Sequence, residues 1–156
     1  MTLKELRIKK GLTQLVCAQF LGVSLRTYIR YESDDNKANT LKYRYMLKEL
    51  ETYGYIDEQH GVLTVESIKN ICAEIFERYA VEYCYLFGSY AKGKATPTSD
   101  VDLLVSTNVK GIKFYGLVEE IRTVLHKNVD VLNIDQLKDN VELTEEIFKD
   151  GVKIYG

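Results

Sequence analysis

The stretch that decides the fold runs Leu86-Phe87-Gly88-Ser89-Tyr90-Ala91-Lys92-Gly93-Lys94-Ala95-Thr96-Pro97-Thr98-Ser99-Asp100-Val101-Asp102-Leu103-Leu104-Val105. An apolar run breaks at the Gly-Ser pair, and a second apolar run opens with two carboxylates after a polar loop. Side chains two residues apart in a strand project to the same face, so Asp100 and Asp102 should lie together. Paired carboxylates suit a hard cation, and a glycine-opened strand-to-helix turn presents N–H groups to an anion. The stretch therefore predicts a site for metal and phosphate.

The elements around this stretch predict an α+β domain with a small mixed sheet. Strands are expected over 81–87, 100–106, 128–134 and 152–155, and amphipathic helices over about 64–79, 110–126 and 141–149. Asp130 lies in the middle of the third strand, where an acid is costly unless it is paired or binds a metal. Asp130 is therefore the third candidate carboxylate.

The order Gly-Ser, ten residues, Asp-x-Asp resembles the signature of the nucleotidyltransferase superfamily. Ala91, Gly93, Ser99 and Leu103 extend the likeness to Gly-Ser-x-Ala-x-Gly…Ser-Asp-x-Asp-Leu. The alternative is a β-hairpin with an acidic turn and no site, since motif matches can arise by chance.

This resemblance implies a site for ATP with one or two Mg²⁺ ions. The implied catalytic and metal-binding residues are Asp100, Asp102 and Asp130. Gly88 and Ser89 would cradle the β- and γ-phosphates, and Lys92 or Lys94 could add a cation, although each could equally be a solvated loop lysine. An acceptor hydroxyl would attack the α-phosphorus and release pyrophosphate, with Asp130 assisting its deprotonation.

Charge divides the 156-residue chain unevenly. Its net charge is −2, but residues 1–31 hold six basic residues against Glu5 alone, a balance of +5, which leaves −7 for the remainder. This asymmetry predicts a basic module joined to an acidic one. Three cysteines in apolar surroundings, with no metal-ligand spacing, predict buried reduced thiols in a cytoplasmic protein: Cys17, Cys72 and Cys84. No apolar run reaches membrane-spanning length, and no signal peptide is expected.

The basic segment predicts a helix-turn-helix, because two short helices flank a tight turn at Leu21-Gly22-Val23. Residues 2–53 resemble the phage-repressor (XRE, Cro/C1) type, on Gly11-Leu12-Thr13-Gln14, Leu21-Gly22-Val23-Ser24 and Arg30-Tyr31-Glu32. The third helix of that family enters the major groove. The implied DNA-binding residues are Gln14, Leu25, Arg26 and Arg30. A helical bundle used for dimerisation is the alternative, and apolar Leu15, Val16 and Phe20 depart from the family pattern.

The polar residues 54–63 are the predicted linker. They would separate a DNA-binding domain at residues 1–56 from a nucleotidyltransferase domain at residues 64–156.

The small size of the second domain narrows the resemblance to the smallest nucleotidyltransferases, because 26 residues follow Asp130 and leave little room for a further helical domain. Residues 64–156 resemble the minimal nucleotidyltransferases that serve as antitoxins to HEPN ribonuclease toxins. That resemblance implies transfer of AMP from ATP to a toxin tyrosine, operator DNA as a second partner, and a homodimer or a hetero-oligomer with the toxin. Two alternatives remain: a transcriptional regulator with a non-catalytic nucleotide-binding domain, and an aminoglycoside nucleotidyltransferase.

Overall fold

The structure, a computed structural model, describes all 156 residues. The chain forms two compact units, Met1–Tyr55 and Ile56–Gly156. The fold class expected from the sequence is confirmed, since a helical N-terminal region precedes a four-stranded mixed sheet with helices. None of the helices is both long enough and apolar enough to cross a membrane.

The first unit consists of short helices that begin at hydroxyl caps. Thr2, Thr13, Ser24 and Thr40 each accept a backbone N–H from the first turn of the helix that follows. The helices are α1 (Leu3–Lys9), α2 (Gln14–Phe20), α3 (Leu25–Ser33) and α4 (Leu41–Glu51), with a 3₁₀ turn at Asp35–Lys37. Their shared core contains Leu3, Leu6, Cys17, Ala18, Tyr28, Tyr43, Met46 and Leu50.

The second unit is built on a sheet of order β3-β2-β1-β4. Its elements are α5 (Val65–Arg78), β1 (Tyr83–Phe87), α6 (Gly88–Ala91), β2 (Val101–Ser106), α7 (Ile112–Leu125), β3 (Val129–Asn133), a 3₁₀ turn (Ile134–Leu137), α8 (Val141–Asp150) and β4 (Val152–Tyr155). β1 pairs antiparallel with both β2 and β4, whereas β2 and β3 are parallel. A parallel pair needs a crossover, and α7 supplies it.

The two faces of this sheet differ in how they are covered. Side chains of one parity, such as Leu86 and Leu103, are fully buried against α5 and α7. Side chains of the other parity, Phe87 and Leu104, form a smaller cluster with Ile147 of α8. Asp102 shares the parity of Leu104, so the acidic residues lie on the less covered face. The three cysteines are buried and free, as expected.

Most of the predicted linker, residues 54–63, belongs to the second unit. Lys127 is only 1% exposed, and four backbone carbonyl groups lie within hydrogen-bonding distance of the three N–H groups of its ammonium. These belong to Asp57, to His60 (3.0 Å), to Gly61 (2.7 Å) and to Pro97 (2.7 Å). The carbonyl groups of this segment turn inward onto a buried cation. The assignment of residues 54–63 as the connection between two domains stays a prediction.

We predict that Lys127→Met destabilises the second unit by about 2–3 kcal/mol, because four carbonyl groups lose their donor in a site with little water. Lys113→Met, on the exposed surface of α7 in the same unit, is the matched control and should change stability by less than about 0.5 kcal/mol. Urea unfolding followed by circular dichroism measures both values. Equal stability of the two variants would show that the Lys127 contacts contribute nothing.

Candidate active site

Two of the three predicted carboxylates lie on adjacent parallel strands. Asp102 on β2 and Asp130 on β3 are direct partners in the register, so their side chains share one face of the sheet. Asp102 is half-buried and Asp130 is exposed. Asp100 is exposed and lies one residue before β2 begins. The sheet thus brings together residues that are 28 positions apart in the sequence.

The Gly-Ser turn lies directly against this carboxylate pair. Phe87, the last residue of β1, pairs with Asp102, and α6 begins at the next residue. Gly88 has a φ of +69°, and a Cβ atom placed on it would overlap Oδ2 of Asp102. Both facts demand glycine at this position. The turn closes when the carbonyl group of Ser89 accepts the N–H of Lys94 at 2.9 Å.

The electrostatics of the site centre on Asp102. Burial is the largest of the effects that together raise the pKa of Asp102 to about 6, and the negative charges of Asp130, Asp100 and Glu146 are the next. Burial and like charge both disfavour the ionised carboxylate. The site therefore concentrates negative charge that the chain itself leaves largely uncompensated.

The expected phosphate ligand Lys92 is engaged with α8. Its ammonium group donates to Oε1 of Glu146 at 2.8 Å, and both side chains are about one-third exposed. Sequence reasoning did not single out Glu146, which is one of several acids on an amphipathic helix and carries no motif. Lys127 was missed for a similar reason, because no local signal separates a buried lysine from a solvated one at a helix end.

The carboxylates do not form a closed metal cage. No group of three His, Cys, Asp or Glu side chains is arranged to hold a metal ion. The sequence prediction of Asp100, Asp102 and Asp130 as one ligand set is thus realised only as the Asp102–Asp130 pair with Asp100 at the margin. Mg²⁺ commonly binds through one or two carboxylates and completes its shell with phosphate and water.

The residues predicted to contact DNA all belong to the first unit, but they are engaged differently. Gln14 is tied inward, since its amide donates to Oε1 of Glu32 at 3.0 Å. The same carboxylate receives two hydrogen bonds from Arg7. On α3, Leu25 is 40% exposed, and Arg26 and Arg30 are exposed with no carboxylate partner. Leu25, Arg26 and Arg30 are thus exposed to solvent, whereas the side chain of Gln14 is hydrogen-bonded within the first unit.

The apolar residues that depart from the repressor pattern are only partly covered. Leu15 is 50% exposed, and Phe20 is 42% exposed although its ring meets Tyr53 edge-on at 5.1 Å between centroids.

Comparison with known proteins shows which family the second unit resembles. The family described as Polymerase beta, Nucleotidyltransferase matches residues 68–156. Protein adenylyltransferase MntA of Thermococcus cleftensis is 35% identical over 90 residues, which cover 54% of this chain and 91% of that relative. A Methanocaldococcus jannaschii protein named as a candidate protein adenylyltransferase is 33% identical over 75 residues, covering 44% of this chain and 87% of that relative.

A crystal structure described as a toxin-antitoxin with AMP-PNP resembles 56% of this chain and 73% of its own chain, at 22% identity and a TM-score of 0.48. The family match contains the Gly-Ser turn, both acidic strands and Asp130, the features that the geometry brings together. The chain therefore belongs to the polymerase beta nucleotidyltransferase family and is a nucleotidyltransferase.

Proposed function

We propose that this chain is an antitoxin that transfers AMP from ATP to a tyrosine of a HEPN-type ribonuclease toxin and thereby silences the toxin. The observation that carries the proposal is the packing of the Gly88 turn against the Asp102–Asp130 pair. In this proposal, the turn would bind a phosphate chain beside the carboxylates that receive the acceptor oxygen. Support for a protein acceptor comes from MntA, a protein adenylyltransferase that the match spans over 91% of its length.

Each residue of the site has a role in this proposal. Backbone N–H groups at Gly88 and Ser89 bind the β- and γ-phosphates, because a turn that opens a helix offers unpaired donors. Lys92 adds a cation to the phosphates, and Glu146 orients its ammonium group between turnovers. Asp130, the exposed carboxylate, accepts the proton of the tyrosine hydroxyl. The oxygen then bonds to the α-phosphorus as the bond to the bridging oxygen breaks, and pyrophosphate leaves.

The carboxylates also fit a divalent cation, for which Mg²⁺ is our proposal. Burial and then the neighbouring negative charges raise the pKa of Asp102, and a bound cation would offset those charges. Asp102 and Asp130 would hold the ion, with Asp100 at the margin. When bound, such an ion neutralises charge on the phosphate oxygens.

The first unit has a second role in our proposal, as a DNA-binding domain that controls transcription of the chain's own operon. Arg26 and Arg30 lie four residues apart on α3, so they share one exposed face. Neither is neutralised by a carboxylate, and residues 1–31 carry an excess of five positive charges. The division of labour assigns DNA to residues 1–56 and transfer to residues 64–156. A homodimer, or an assembly with the toxin, would match a palindromic operator.

For transfer, we predict that the wild-type chain moves label from [α-³²P]ATP to its HEPN partner when Mg²⁺ is present. Asp102→Ala should reduce the rate by at least about 100-fold, since charge stabilisation at a reacting phosphate is a large term. Glu77→Ala, an exposed acid on α5, controls for the loss of negative charge. A wild-type chain that binds ATP without transferring label would favour the non-catalytic regulator. Equal transfer by Asp102→Ala would remove the assigned site.

For the metal, we predict that Asp102→Asn stabilises the metal-free chain at pH 7.5. The folded-state pKa of about 6 exceeds the value of ~3.9 for free aspartate. Ionisation of Asp102 therefore lowers the free energy of unfolding as the pH rises from about 4 through 6. The variant should gain roughly 1 kcal/mol in EDTA at pH 7.5 and almost nothing at pH 4.

Thermal melts measure this gain, and millimolar Mg²⁺ should then raise the melting temperature of the wild type more than that of the variant. A destabilised variant, or equal responses to Mg²⁺, would contradict this account of the site.

For DNA, we predict that the full chain binds a palindrome upstream of its own gene. Arg26→Ala and Arg30→Ala should each weaken binding by about 1–3 kcal/mol if they contact base edges or phosphates. Arg44→Ala, exposed on α4, is the matched control. Fluorescence anisotropy at low and moderate salt measures the affinities. If the upstream region is not bound even at low salt, the repressor role is wrong.

A further inference from the structure

The acidic strand β3 forms an open edge of the sheet. It pairs with β2 alone, in parallel register. Val101 donates to the carbonyl group of Asn128 at 2.9 Å. Backbone polar groups alternate sides along a strand, so residues 128, 130 and 132 face β2, whereas Val129 and Val131 face outward. Two N–H and two C=O groups flanking Asp130 are therefore free for a further strand.

The far end of this edge is closed. The N–H of Asn133 donates to Oε1 of Gln136 at 2.8 Å. The open stretch thus consists of Val129, Asp130 and Val131, with the third candidate carboxylate at its centre.

A groove runs along the open side of β3. Its volume is about 490 Å³, and β3 forms one wall while the start of α7 and the following 3₁₀ turn form the others. Phe114 and Tyr115 contribute aromatic surface, and Tyr115 is 75% exposed. Natural proteins usually cover or blunt a strand edge, because its free N–H and C=O groups pair readily with another chain. An uncovered edge beside a catalytic carboxylate indicates a place for an extended peptide.

The strand spacing places the side chain of such a peptide at the site. Adjacent strands lie about 4.8 Å apart, and side chains at paired positions point to the same face. A residue opposite Asp130 would therefore extend the row formed by Phe87, Asp102 and Asp130. A tyrosine in that position has its hydroxyl within reach of the Asp130 carboxylate.

We propose that the acceptor protein docks by adding an extended, tyrosine-containing segment as a fifth strand to the open edge of β3. This inference rests on the proposed function, because it assigns the position of the acceptor in that reaction. Main-chain pairing with Val129 and Val131 sets the register and so selects which tyrosine meets Asp130. The Phe114–Tyr115 side of the groove holds apolar residues of the segment.

The direct test is amide hydrogen exchange of the ¹⁵N-labelled full chain, alone and with saturating HEPN partner and a non-hydrolysable ATP analogue. The amides of Val129 and Val131 should exchange rapidly in the free chain and at least tenfold more slowly in the complex. The amide of Leu132, which faces β2, should be protected in both samples and is the internal reference.

A variant test uses the backbone donor itself. Val131→Pro removes one outward N–H, a change that an edge strand tolerates. We expect its transfer to the partner to fall at least tenfold below that of Val131→Thr, which keeps the N–H and the β-branched shape. Affinity for the ATP analogue reports whether the nucleotide site of Val131→Pro is intact, and the exchange experiment on the wild type does not depend on this variant.

The outcomes separate the two levels of the proposal. A wild-type chain that transfers AMP while Val129 and Val131 remain unprotected overturns the docking mode and leaves the transfer function standing. Protection that increases with the concentration of this chain and does not depend on the partner would show that β3 pairs with a second copy. That result also overturns the docking mode. If the wild type transfers no AMP at all, the proposed function and the docking mode fail together.

Discussion

The structure of the catalytic unit depends on one crowded contact, the Asp102 carboxylate held between the Gly88 turn and Asp130. Gly88 must be glycine both because its φ is +69° and because a Cβ atom would strike Asp102. Asp130 is brought alongside by the parallel pairing of β2 and β3, which α7 makes possible. The contact costs stability, since burial and neighbouring acids raise the pKa of Asp102. Carboxyl groups with perturbed pKa values are common at functional sites.

The apolar core and the Lys127 contacts stabilise the unit around this acidic contact. The fully apolar face of the sheet packs against α5 and α7, so the acidic face can remain less covered. Lys127 joins the turn at residues 57–61 to Pro97, three residues before Asp100. The loop that carries the first candidate carboxylate is thereby anchored to the body of the domain. This anchoring explains why a segment of polar composition belongs to the folded unit.

Much of this organisation was predictable, and the misses have physical causes. The strand, turn, short helix and second strand around Gly88-Ser89 were predicted from local periodicity, and the structure confirms them. Asp130 was predicted as the third candidate carboxylate because an acid in an apolar strand is costly unless it is paired or binds a metal. The sheet places it beside Asp102, and its side chain is exposed. Sequence periodicity does not encode non-local contacts. It therefore could not predict the strand order, the open β3 edge or the carbonyl groups that surround the Lys127 ammonium. Gln14 illustrates the same limit, because its amide is tied to Glu32, 18 residues away.

The measurement that tests the central claim most directly is a ¹³C NMR titration of the Asp102 carboxyl group in the metal-free chain, repeated in Asp130→Asn. The account predicts that Asp102 titrates at a pKa of about 6 and that removing the Asp130 charge lowers this value. A titration near the ordinary aspartate value of ~3.9 in both proteins would show that Asp102 is neither desolvated nor coupled to Asp130. The site would then lack the concentration of negative charge on which the account depends.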